Sequence, residues 1–168
     1  PLAPVENVRM LVVDDNATNR EVLGLLLGSW HVRHEEVASG PKALDVLQEA
    51  AAEDDPFRLA ILDMQMPGMD GEQLGHAIRG IPSIRNIPLV MMSSVGQRGD
   101  ASRIEAAGFS AYLTKPVKQS ELHDCLATVL GLSIEQLPHA KKESTLVTRH
   151  TVREDQRARY RILLADDN

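Results

Sequence analysis

Short apolar runs recur along the chain, and each ends abruptly in polar or small residues. Arg9–Val13 stops at Asp14-Asp15, Arg58–Leu62 at Asp63, Pro88–Met92 at Ser93-Ser94, and Ala111–Leu113 at Thr114-Lys115. A half-exposed strand alternates in polarity and a helix needs a longer span. Runs so short and so continuously apolar therefore predict strands buried on both faces of a parallel sheet. A more polar run, His34–Ala38, predicts an edge strand.

Between the runs the spacing becomes helical. Ala17–Trp30 sets Val22, Leu23, Leu26 and Leu27 on one stripe, with Thr18 in the first turn. Pro41–Ala52 follows Ser39-Gly40, a start signal with Pro at the first helical position, and turns Ala43, Leu44 and Leu47 inward. Gly71–Arg79, Asp100–Ala107 and Gln119–Leu130 complete the set, with Gly108 and Gly131 where left-handed C-terminal caps belong. The alternation up to Gly131 predicts an α/β fold, a flavodoxin-like (βα)5 doubly wound open parallel sheet of strand order 2-1-3-4-5. Right-handed crossovers then place helices on both faces.

Past Gly131 the texture changes. Residues 132–159 carry Pro138-His139, Lys141-Lys142 and a charged run from Arg153, with one extended patch at Leu146-Val147, and predict a linker. Arg161–Asn168 then repeats Arg9–Asn16 in character at every position, which predicts that a second copy of the first domain begins there. The expected division is an N-terminal extension (1–6), a folded domain (7–131), a linker (132–159) and the first strand of a truncated second domain (160–168).

Composition narrows the function. Hydrophobic residues make up 43% and aromatics only 3%, so the core is aliphatic and the stacking platforms of a single-strand nucleic-acid binder are lacking. Eighteen basic against 24 acidic residues give a net charge of −6, the wrong sign for a phosphate backbone, so no nucleic-acid partner is expected. Cys125 is the lone cysteine, which excludes an internal disulfide and suits a reducing compartment. No apolar run approaches the roughly 20 residues that span a bilayer. PLAPVENVRM carries no signal pattern. The expectation is a cytoplasmic fragment without direct membrane contact, which leaves open an anchor elsewhere in a parent protein.

The strand ends carry the chemistry. In the expected order the first and third strands are neighbours, so Asp14, Asp15 and Asp63 converge where ligands bind open α/β sheets. Carboxylates packed together destabilise one another unless a cation sits among them. Oxygen ligands of this kind suit Mg²⁺. Ser93 adds a hydroxyl and Lys115 an ammonium, groups able to hold phosphoryl oxygens. With an aspartate nucleophile the chemistry is in-line phosphoryl transfer to an acyl phosphate. Lys115-Pro116 is a candidate cis peptide that would aim the lysine.

LVVDDN, ILDMQMPGMDG, VMMSS and YLTKP, in that order and spacing, resemble the response-regulator receiver family over about residues 7–131. The resemblance implies that Asp63 is the phospho-acceptor. Mg²⁺ would be held by Asp63, Asp15 and the backbone carbonyl of Gln65, with Asp14 acting mainly through water. Ser93 and Lys115 would contact the phosphoryl group, and Tyr112 would turn inward when Ser93 moves. Ser93 stands where Thr is more usual, and Ser94 fills the adjoining small-residue position that leaves room for Tyr112. Such a domain catalyses its own phosphorylation and dephosphorylation. A receiver, a linker and the start of another receiver resemble the C-terminal part of a hybrid sensor histidine kinase. The implied partners are a histidine kinase domain, in cis or in trans, and a histidine phosphotransfer domain. A dimer through the tail or the strand 4/5 face is a further expectation.

Rival signals carry less. Aspartate-nucleophile phosphohydrolases place a second acid two residues after the nucleophile, where this chain has Gln65. A receiver reduced to docking would lack the acceptor Asp or the Lys. His76–Gly80 mimics the His-x-x-basic-Gly pattern of phosphotransfer domains but falls in a short helix of an α/β unit. His31 and His34 have no third ligand at metal spacing. His123 and Cys125, two apart on a helix, do not share a face. Met64, Met66 and Met69 suit loop packing, and Asp70-Gly71 a turn and helix start.

Overall fold

A computed structural model of the chain describes residues 5–94 and 100–131, and the backbone of 147–148. The elements run β1 (Arg9–Val13), α1 (Ala17–Ser29), β2 (Arg33–Val37), α2 (Gly40–Ala51), β3 (Leu59–Asp63), α3 (Gly71–Gly80), β4 (Leu89–Ser93), α4 (Asp100–Ala106), β5 (Ala111–Thr114), α5 (Gln119–Val129) and β6 (Val147–Thr148). All pairings are parallel, in the order β2-β1-β3-β4-β5-β6. The expected 2-1-3-4-5 order is intact, and β6 extends it beside β5 with Ala111 opposite Val147 and Tyr112 opposite Thr148. The extended patch expected at Leu146-Val147 thus surfaces one residue later as an edge strand. The rest of the tail, including 160–168, lies outside the described residues.

Strand bounds shift from the apolar runs for a hydrogen-bonding reason. β3 and β4 begin one residue later than the runs and take in the polar residue at each end, with Asp63 paired to Met92 and Ser93 to Thr114. Apolarity marks which side chains are buried; the ladder marks which backbones pair. Asp63 and Ser93 are therefore the last rungs of strands rather than the first residues of loops.

Alternation along the strands builds an aliphatic core on each face. Leu11, Val13, Leu62, Leu89 and Met91 pack with Leu47, Leu74, Ile78 and Ile104 from α2, α3 and α4. Met10, Val12, Leu59, Ile61 and Val90 pack with Leu23, Leu27, Leu122 and Leu126 from α1 and α5. Burying each large aliphatic side chain contributes about 1.5–3 kcal/mol, so the sheet is held firmly from both sides.

On α1 the expected stripe is inward except at Val22, with Leu26 partly buried against the core. Leu23 and Leu27 are buried, but Val22 is 52% and Leu25 70% exposed. Gly24 lies so close to Glu36 and His34 of β2 that a Cβ there would collide. That approach turns Leu23 and Leu27 to the sheet and Val22 away from it. Arg79 on α3 donates to the carbonyls of Gly108 (3.1 Å), Arg85 (2.6 Å) and Ile87 (2.8 Å), so it is a backbone clamp. His123 packs edge-on to Trp30 with ring centroids 5.0 Å apart. Burial pushes the Cys125 thiol up to about 12, which keeps it protonated and inert.

Candidate functional site

The site sits at the carboxyl ends of β1, β3, β4 and β5. Asp14 follows β1 and is 1% exposed, while Asp15 next to it is exposed. Asp63 ends β3 at 6% exposure and Ser93 ends β4 at 4%. One carboxylate oxygen from each of Asp14, Asp15 and Asp63 lies within 4.8 Å of the others. An octahedral Mg²⁺ shell with bonds of about 2.1 Å spans roughly 4.2 Å between opposite ligands. The trio fits such an ion with a modest closure or one bridging water.

Lys115 directly follows β5, and its bond to Pro116 is cis, as expected. Its Nζ lies 2.8 Å from Asp63 Oδ1 and 3.0 Å from Asp14 Oδ2, so one ammonium holds two of the acids together. Its backbone N–H donates to the Ser93 carbonyl at 2.7 Å, which ties the ends of β4 and β5. Burial raises the Asp63 pKa, and the hydrogen bond and charge of Lys115 offset only part of that. For Lys115 burial alone would lower the pKa, but its bonds to Asp63 and Asp14 win and raise it. Burial thus favours the neutral form of Asp63, while the two carboxylates favour the charged form of Lys115.

Sequence marked Thr18 in the first turn of α1 but not Asn19 or Arg20, and these shape the site. Asn16 caps the helix, its Oδ1 accepting the Asn19 N–H at 3.1 Å. The Asn19 side-chain amide donates to Asp14 Oδ2 at 3.1 Å and Oδ1 at 3.4 Å, and the Asn16 N–H donates to Asp14 Oδ1 at 2.9 Å. Arg20 donates to the Asp14 and Asp15 carbonyls at 2.7 and 3.1 Å. Only the capping position of Asn19, three residues past Asn16, could have flagged it.

The loop after β3 is set by a capping box. Asp70 accepts the Gln73 N–H at 2.8 Å, and Gln73 Oε1 accepts the Asp70 N–H at 3.0 Å, so Asp70 starts α3 as expected. Gly71 is required there, because a Cβ would overlap the Asp63 carbonyl oxygen. Met66 is buried and Met69 packs against Gly40, loop packing as expected. Gln65 is exposed beside the trio. Tyr112, half-buried on β5, shares side-chain hydrogen bonds with Ser93 and with Asp100 of α4. Burial is the first cause that raises its phenol pKa. Ser94, beside Ser93, is exposed. His31, His34, His76, His123 and Cys125 are not brought into the acidic cluster.

The sequence profile of the response regulator receiver domain matches residues 10–127. The chain belongs to that family. It is 33% identical over 118 residues to the signal transduction histidine-protein kinase BarA of Escherichia coli K12, covering 70% of this chain and 12% of BarA. It is also 33% identical over 129 residues to the sensor histidine kinase GacS of Pseudomonas protegens, covering 75% of this chain and 14% of GacS. The chain thus spans a small part of the length of these relatives. Among solved structures, the Vibrio cholerae chemotaxis protein CheY4 aligns with a TM-score of 0.67 at 26% identity, covering 73% of this chain and 98% of CheY4. The receiver domain of a Pseudomonas aeruginosa sensor histidine kinase, with a magnesium ion coordinated in its active-site cleft, aligns with a TM-score of 0.63 at 27% identity, covering 74% and 98%. Among the described residues no helix is long and apolar enough to cross a membrane.

Proposed function

We propose that residues 7–131 form a phospho-accepting receiver in which Asp63 takes a phosphoryl group from a phospho-histidine with the help of Mg²⁺. The observation that carries this is the convergence of Asp63 with Asp14, Asp15 and Lys115 at one strand end. A bound Mg²⁺ would neutralise the acidic trio and draw charge from the phosphoryl oxygens. Asp15, Asp63 and the Gln65 carbonyl are its direct protein ligands in this scheme. Asp14, whose oxygens already accept fixed donors, acts through water.

In the transfer a P–N bond to the donor histidine breaks and a P–O bond to an Asp63 carboxylate oxygen forms. Lys115 stays paired with the developing charge, and the Ser93 hydroxyl donates to a phosphoryl oxygen. Drawing Ser93 to the phosphoryl group redirects its hydrogen bond with Tyr112, and Tyr112 in turn reaches Asp100. The surface around β4, α4 and β5 is thereby biased between two arrangements. Val22 and Leu25, exposed on α1, suit docking of a helix that carries the donor histidine. The parent is a hybrid sensor histidine kinase in this scheme, with a linker over 132–159, a second receiver starting near residue 160, and a histidine phosphotransfer domain as a further partner.

The test is intact mass after incubation with acetyl phosphate, with and without Mg²⁺, for the wild type and Asp63→Asn. The expected result is gain of one phosphoryl group only with Mg²⁺ and only in the wild type. Gain by the Asn variant would name the wrong acceptor, and no gain in the wild type would leave a docking module.

A further inference from the structure

In a capping box the side chain at the third helical position reaches back to the N-cap backbone N–H. At the start of α1 that N–H, from Asn16, is taken instead by Asp14 Oδ1 at 2.9 Å. The side chain at the third position, that of Asn19, is thereby released from the cap, and its amide is spent on the same carboxylate, at 3.1 Å from Oδ2 and 3.4 Å from Oδ1. Lys115 Nζ adds a contact to Oδ2 at 3.0 Å. The helix start and the acidic cluster are therefore built from one shared carboxylate.

We propose that Asn19 is a positioning residue for the magnesium site, holding the buried Asp14 carboxylate turned toward fixed donors so that it meets the metal only through water. This rests on the Mg²⁺ reading given above. Asp14 and Asp15 are adjacent, chemically identical and charged alike, yet in that reading Asp15 is the direct ligand and Asp14 is not. Asn19 makes the choice by occupying Asp14, which is 1% exposed, and leaving the exposed Asp15 free. Without Asn19, Asp14 keeps, among the described residues, the Asn16 N–H on Oδ1 and Lys115 on Oδ2, and its plane is free to turn. Groups that orient metal-site carboxylates from behind typically control affinity by about 10–100-fold.

The experiment is calorimetric Mg²⁺ titration of the full chain, with thermal midpoints measured alongside, for the wild type, Asn19→Ala, Asn16→Ala, Asp14→Asn and the Asp14→Asn/Asn19→Ala double variant. Asn19→Ala is expected to weaken Mg²⁺ binding about 10-fold, with its acetyl-phosphate labelling rate recovered at saturating Mg²⁺. Asn16→Ala loosens the same helix start without removing the amide, so its midpoint falls while its Mg²⁺ affinity holds. In the Asp14→Asn background Asn19→Ala should add no further loss. Unchanged affinity in Asn19→Ala, an equal loss in Asn16→Ala, or an additive loss in the double variant would overturn the proposal. A wild type that binds no Mg²⁺ would instead remove the site reading itself, and this inference with it.

Discussion

The two ends of the sheet carry charge clusters of opposite design. At the amino end Arg9 and Arg33 face Glu35, Glu53 and Asp55: Arg9 bridges Glu35 at 2.5 Å and Glu53 at 3.1 Å, and Arg33 bridges Asp55 at 2.5 Å. Arg9 also lies 4.4 Å over the Phe57 ring. The acids outnumber the bases by one, and the Arg33–Asp55 pair is about half exposed, at 50% and 51%. At the carboxyl end, among the described residues, Lys115 is the one cation paired with the side chains of the three acids, Arg20 reaching only the Asp14 and Asp15 carbonyls, and the Asp14 and Asp63 side chains are 2% and 7% exposed. Solvent-screened pairs near balance contribute little and cost little. Buried acids in excess of their cations are unstable until a further cation joins them. Local instability marks the functional end.

That contrast yields an ordered set of expectations. Lys115→Met removes the cation that holds two buried acids and should destabilise the metal-free protein by about 3 kcal/mol in urea unfolding. Saturating Mg²⁺ should return part of the loss. If Mg²⁺ returns none, the acids are not a cation site. Gly71→Ala forces the Asp63 backbone to shift and should cost about 2 kcal/mol, with slower labelling by acetyl phosphate. A variant as stable and as fast as wild type would show that the loop yields without effect.

Asp63→Asn should act in the other direction, raising the metal-free thermal midpoint by about 3 °C at neutral pH. The sign follows from a folded pKa raised above the ordinary 3.8. Between those values the folded protein holds a proton that the unfolded chain has released, so stability falls as pH rises through that window. The deficit persists above it, and the Asn variant, which cannot ionise, escapes it. Lys115 is raised above 10.5, so its contribution is complete below that pH and is lost only as pH climbs through the folded value. Equal midpoints for wild type and variant from pH 4 to 8 would mean that Asp63 bears no folding cost. Smallest of all, Arg33→Ala at the amino end should leave the urea midpoint unchanged within error, because its pair with Asp55 is open to solvent. A clear loss there would erase the contrast.

Most of this architecture was legible because strands buried on both faces must be continuously apolar, and because polar strand ends in an open α/β sheet fall at one edge. Asp14, Asp15, Asp63, Ser93 and Lys115 were found by that logic. Val22 was misplaced because a stripe of hydrophobics cannot tell which neighbour a glycine lets close, and Gly24 turned the helix. Asn19 and Arg20 were invisible for a different reason. Their roles depend on which way the Asp14 side chain and the β1–α1 backbone point, and no residue pattern records that. The extended patch at Leu146-Val147 was placed one residue early and its pairing beside β5 was not foreseen, because two paired residues leave no periodicity.

The sixth strand also bears on how the protein behaves in a crowded solution. A parallel sheet ends in two rows of unsatisfied amides and carbonyls, each a template for a stray chain. One margin here is β2, whose Arg33, His34, Glu35 and Glu36 make a charged hem that discourages recruitment. The other is β6, the protein's own Val147–Thr148 laid along β5. Trimming the chain at Gly131 would strip that self-made selvage, so the shorter protein should be the stickier one.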